Sequence, residues 1–178
     1  MIAEAPWRAD PNRATYRAAL VLGTTSTLVI VEEQRGADVY VLRDVRSWTR
    51  RWGRGVAWQS LACDVAEVLC SAAAFGDIAR LVVVKSLAGE SAVDQLRDLR
   101  REGRMPLIKV VRVGADGIAA EDLQSRLDVL VESGALDLST ANARVDMDDH
   151  AVRLAIGVAV HRGAGAGFVE AWRRSAAR

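Results

Sequence analysis

Five arginines and three tryptophans share one short stretch of this 178-residue chain, where Arg43, Arg46, Arg50, Arg51 and Arg54 interleave with Trp48, Trp52 and Trp58. Guanidinium groups pair with phosphates and indole rings stack on bases, so such a run can follow a nucleic-acid strand. The same residue types also make a solvated face with tryptophans anchored in the core, and the sequence leaves both readings open. Arg46, Arg50, Arg51 and Arg54 are the candidates for nucleic-acid contact. Other chemistries are excluded by missing motifs. There is no GxxxxGK(S/T) phosphate loop and no GxSxG nucleophile elbow. The only histidines, His150 and His161, stand in no metal-ligand spacing with the cysteines. Cys63 and Cys70 lie seven apart in one helical pattern. They share a helix face about 10 Å apart along the axis, too far for a disulfide, and read as small core residues.

The elements that would position any site follow from periodicity. Residues 18–31 form two β-rich runs around the step Gly23-Thr24-Thr25-Ser26-Thr27, and Val39–Leu42 continues as a third strand after a turn. Leu61, Val65, Val68 and Leu69 make the stripe of an amphipathic helix over 57–75. Leu81–Val84 is a continuous apolar run, the pattern of a strand buried on both faces. A helix over Ser91–Arg101, a strand over Leu107–Val113 and a helix over Glu121–Ser133 with Gly134 as its C′ residue come next. A short strand at Ala135–Leu138 and a helix from Asp148 to His161 complete the pattern. Asp94, Arg97, Asp98 and Arg101 read as an exposed charged face with i,i+4 neighbours. The order β-β-β-α-β-α-β-α-β-α predicts an α/β fold: a mixed sheet with helices packed against it, in one domain.

Composition agrees with one ordinary globular domain. Hydrophobic residues make up 51% and charged residues 26% of the chain. At this length roughly 70% of the unfolded surface can be buried, so no metal or disulfide staple is required. The net charge of +1 supplies no global attraction to nucleic acid, so any such contact must come from a local patch. No apolar run approaches the ~18 residues of a membrane helix, and residues 1–17 lack the apolar segment of a secretory signal. The expectation is a cytoplasmic protein with no membrane partner. Residues 1–17 are expected as a polar lead-in, 18–162 as the domain and 163–178 as a tail.

Two segments resemble the nuclease domain of phage terminase large subunits, of the ribonuclease H-like superfamily. Leu81–Leu96, LVVVKSLAGESAVDQL, is similar without gaps to that family's apolar strand, aspartate, glycine-containing turn and helix. Asp122–Leu138, DLQSRLDVLVESGALDL, looks like its helix-turn-strand pattern, and Asp148-Asp149 before an alanine-rich helix resembles its C-terminal acidic motif. The resemblance implies a ribonuclease H-like mixed sheet flanked by helices. It also implies a site where acids on the first strand, the fourth strand and the last helix hold two divalent metals at a phosphodiester. Such sites use carboxylates because Mg²⁺ and Mn²⁺ prefer hard oxygen ligands.

The departures fall on those ligands. The fourth-strand aspartate position is occupied by Lys85, and the first-strand position by Val21, or by Leu22 or Gly23 in a shifted register. Asp148 and Asp149 alone remain as metal-ligand candidates. The resemblance therefore implies a nuclease-like domain lacking two-metal cleavage, without a bound cofactor, that contacts double-stranded DNA or phage packaging proteins. Two alternatives stand beside it. One is an active Mg- or Mn-dependent endonuclease using Glu32, Glu90, Asp146, Asp148 and Asp149; the other is a protein-interaction scaffold. The Leu22–Thr27 step also resembles the first phosphate-binding turn of actin-like and sugar-kinase ATPases, but the aspartate before that turn is missing.

Overall fold

The strand residues divide by parity between two apolar clusters. In β1 (Ala14–Val21) Tyr16, Ala18 and Leu20 join one cluster, while Ala19 and Val21 join the other. In β2 (Thr25–Gln34) Leu28 and Ile30 go one way, Val29 and Val31 the other. Successive side chains of a strand point to opposite faces, so this sorting means that the sheet is covered on both sides. The computed structural model describes residues 14–34, 39–49, 58–85, 90–114, 120–139 and 145–161, without the side chains of 85, 90, 114 and 120–123.

The remaining elements are β3 (Val39–Thr49), α1 (Trp58–Ala73), β4 (Gly76–Lys85), α2 (Glu90–Arg101) and β5 (Lys109–Gly114), followed by α3 (Ala120–Glu132), β6 (Leu136–Asp137) and α4 (His150–Val160). The sheet order is β5-β4-β1-β2-β3-β6. β1 pairs antiparallel with β2, and β2 with β3, while β4 joins β1, β5 joins β4 and β6 joins β3 in parallel. Helices α1 and α2 bury Leu61, Val65, Leu69, Val93 and Leu96 on one face. On the other face α3 and α4 bury Leu127, Val152, Ala155, Ile156 and Val160. In β4, Leu81 to Val84 are each at most 1% exposed, as expected for a strand sandwiched between helix layers. This is the element order and the mixed, helix-flanked sheet predicted from periodicity.

Several boundaries differ from the sequence reading. β1 begins at Ala14, inside the stretch read as a lead-in, and Tyr16 fills the α1 side of the core. β3 runs on to Thr49 instead of ending at Leu42, because pairing with β2 continues from Gln34↔Val39 to Thr25↔Thr49. β5 starts at Lys109, and Leu107 before it is 59% exposed. Cys63 is half-buried and Cys70 exposed, so Cys70 is not a core residue. The two do share a face, but at about 100° per residue it lies opposite the Leu61-Val65-Leu69 stripe. Asp94–Arg97 and Asp98–Arg101 pair at i,i+3, at 3.5 and 2.6 Å.

Two glycines are fixed by geometry. Gly134 ends α3 at φ +70°, a conformation costly for any residue with a Cβ. Gly76 opens β4 where a Cβ would meet the Ala14 carbonyl oxygen and the Tyr16 ring, each at 2.6 Å. Among the described residues no helix is long and apolar enough to cross a membrane.

Candidate functional site

Three elements bring the residues singled out by resemblance toward one end of the sheet. β1 and β4 run parallel, and Val21 pairs with Val84 at their ends. The Leu22 N–H donates to the Val84 carbonyl at 2.8 Å, extending this ladder by one step. Lys85 is the last residue of β4 and pairs with Gly114 of β5; its side chain lies outside the described set. Gly23 sits in the tight connection to β2, where its N–H and carbonyl both face the Ser26 hydroxyl at 3.5 Å. That connection is a β-hairpin turn closed on itself, with Ser26 and Thr27 buried and Thr27 Oγ1 3.1 Å from Ser47 Oγ.

Helix α4 crosses this layout in the opposite direction. Arg17 Nη1 and Arg80 Nη2, from the first halves of β1 and β4, donate to the His161 carbonyl at 3.3 and 2.7 Å. Cations at a helix C-terminus satisfy its free carbonyls and complement its dipole. The eleven-residue helix is about 16 Å long, so its N-terminus lies toward the β1 and β4 ends that carry Val21 and Val84. Asp149 caps that N-terminus. Its Oδ1 accepts from the Ala151 N–H at 2.8 Å and the Val152 N–H at 3.4 Å. Asp148 is exposed, and its N–H donates to Asp146 Oδ1 at 3.0 Å. An aspartate immediately before an apolar helical run is an N-cap signature in sequence, and it accounts for Asp149 without any ligand.

The strand ends and the first turn of α4 contribute to the same apolar core. Val21, Val84, Val113 and Val152 belong to one buried cluster, each at most 8% exposed. Isopropyl groups offer no lone pair, and the described residues here do not fit a pair of divalent cations. Among the described residues no three His, Cys, Asp or Glu side chains gather closely enough to hold a metal ion. The atypical ligand set is also dispersed. Glu32 pairs with Tyr16 near the start of β1 and is bonded to Arg43 at 2.7 Å, far along the sheet from Asp149. Glu90 opens α2, whose packing is on the opposite face. Only Asp146, Asp148 and Asp149 share one turn.

The basic-aromatic stretch is split. Arg46 is exposed on β3 and pairs with Asp44 at 3.1 Å. Trp48 and Trp58 pack partly buried against the α1–α2 side of the core. Arg50, Arg51, Arg54 and Trp52 lie outside the described residues. The Arg17–Arg80 clamp on α4 was invisible in the sequence, because its partners are 144 and 81 positions apart.

Comparison with solved structures places this arrangement. The chain is similar to the human cytomegalovirus terminase nuclease domain, with TM-score 0.59 and 12% identity over 83% of this chain and 82% of that one. The manganese-soaked form of the same domain gives 0.60 and 12% over 85% of each. Thermus thermophilus RuvC gives 0.54 and 14% over 92% of this chain and 96% of that one. No family model matches the sequence, nor does any curated protein. At these identities the likeness concerns the backbone, and together with the strand order it shows that this chain has the ribonuclease H-like fold found in terminase nuclease domains and RuvC.

Proposed function

We propose that this protein is a terminase-nuclease-like domain without two-metal DNA cleavage, serving phage or prophage DNA packaging as a DNA-contacting or assembly module. The observation that carries the reading is the valine packing under α4. Val21 and Val84 pair at the end of the sheet where the resemblance calls for converging carboxylates, and they share one buried apolar cluster with Val152 of α4. A divalent cation there would lose its hydration against hydrocarbon, with Asp149 already engaged as a helix cap. Lys85 adds positive charge at the fourth-strand position, where a metal's own charge would otherwise stand.

Incubation of the protein with plasmid and Mn²⁺ tests the loss of cleavage. No nicking is expected from the natural sequence; nicking that disappears in Asp149→Ala would overturn the reading in favour of an active endonuclease. The double substitution Val21→Asp, Lys85→Asp restores two acids, and calorimetric Mn²⁺ binding gained by that variant alone is the expected outcome. DNA contact has a separate readout. A module that neutralises several phosphates loses affinity steeply as salt rises, and a flat or absent salt response sinks DNA binding and leaves the assembly role.

A further inference from the structure

The face opposite α4 carries a feature that the nuclease-like reading does not use. Between the flank of α1 and the outward row of β3 runs an open cleft of about 630 Å³. It belongs to the α1–α2 side of the sheet, where Tyr16 and Ile30 form part of its floor. On that side α1 and α2 pack over β4 and β5, so among the described residues the outward row of β3 faces only the flank of α1. The β3 wall runs from Arg43 to Trp48, five residues or about 16 Å. The opposite wall runs from Asp64 along α1 to Phe75 in the turn that follows it, a similar length. Such a channel matches about three turns of helix.

Charge and apolar surface are distributed unequally between the walls. The two β3 arginines are neutralised within the sheet, Arg43 by Glu32 at 2.7 Å and Arg46 by Asp44 at 3.1 Å. Asp64 and Glu67 stand at i,i+3 on α1, facing the cleft with no such partner among the described residues. Among the described residues the cleft therefore carries an excess of two negative charges on one wall. Val68 and half-buried Trp48 also line the cleft, and at the far end of the α1 wall stands Phe75, which is 77% exposed. A cleft with an exposed aromatic ring at one end and unpaired acids along the same wall suits an occupant both apolar and cationic.

We infer that this cleft docks an amphipathic helix of a partner protein, with arginine or lysine side chains on Asp64 and Glu67 and apolar side chains against Val68, Trp48 and Phe75. Helix-in-groove recognition reads anchors at i, i+3, i+4 and i+7, and the cleft is long enough to hold that span. Complementary charge fixes the register and favours a basic partner over an acidic one. The same negative wall repels a phosphate backbone.

The probe is a fluorescein-labelled fourteen-residue helical peptide with leucines at i, i+4 and i+7 and arginines flanking them, read by fluorescence polarisation against the full chain. A control peptide carries glutamate in place of every arginine. The arginine peptide is expected to bind at least tenfold more tightly than its control. Asp64→Asn with Glu67→Gln is expected to weaken it at least fivefold, and Phe75→Ala similarly. All three positions are at the surface, and unchanged thermal midpoints confirm that the variants fold. Equal binding of both peptides, no binding of either, or variants that bind like the natural sequence would each overturn the inference. Sedimentation velocity adds one more outcome: a dimer dissolved by Phe75→Glu assigns the cleft to a second copy and likewise overturns it.

Discussion

At the N-terminus of α4, Asp149 accepts two backbone amides through one oxygen, at 2.8 and 3.4 Å. Removing such a cap typically costs about 1 kcal/mol of stability, and asparagine caps nearly as well as aspartate. Asp149→Ala is therefore expected to lower the thermal midpoint by about 2–4 °C, while Asp149→Asn stays close to the natural protein. Differential scanning calorimetry checks both. A midpoint that falls equally in the two variants would show that the charge, rather than the cap, is what matters. This distinction bears on function, because a carboxylate kept for capping tolerates asparagine, whereas one kept for binding a divalent cation does not.

At the scale of elements, the sheet depends on the close approach of β1 and β4. A Cβ on Gly76 would fall 2.6 Å from the Ala14 oxygen and from the Tyr16 ring, so the strands or the ring would have to move. Overpacking of this kind costs about 1–3 kcal/mol. Gly76→Ala is expected to lower the urea midpoint of unfolding at unchanged m-value, and unaltered stability would mean that the β1–β4 start is looser than its geometry. The same β1 and β4 strands hold α4 through Arg17 and Arg80, which fix the helix by its last carbonyl and so set where Asp149 comes to rest. The hairpin was legible because Gly23-Thr24 interrupts two β-rich runs. The full extent of β3 was not, because Arg43, Asp44, Arg46 and Ser47 are polar and gain strand geometry from pairing with β2.

Across the whole molecule, the base of α4 gathers positive charge around His161. Burial lowers the affinity of its imidazole for a proton, and Arg126, Arg80 and Arg17 lower it further. The folded state therefore binds this proton less readily than the unfolded chain, whose histidine titrates near 6.5. Below that pH the unfolded state takes up more protons, so stability is fully present above about pH 6.5 and declines as pH falls toward the folded value. Chemical denaturation across pH 7.5 to 5 is expected to show this decline, and His161→Gln is expected to flatten it. A slope unchanged by that substitution would assign the decline to carboxylates instead.

The sequence by itself determined the element order, the two-faced burial of β4 and the candidate positions of a site, because periodicity and apolar runs are local properties that chain neighbours share. It also offered Lys85, and Val21, Leu22 or Gly23 depending on register, as the positions where the resemblance expects carboxylates. Only the tertiary structure decided that Val21, Val84 and Val152 share one buried cluster, that Asp149 spends its Oδ1 on a helix cap, and that Glu32 lies too far along the sheet to join it. It alone placed Arg17 and Arg80 on one carbonyl and set Asp64 and Glu67 opposite β3. These are contacts between residues tens of positions apart, and no local pattern encodes them: the chain must close its sheet before such side chains become neighbours.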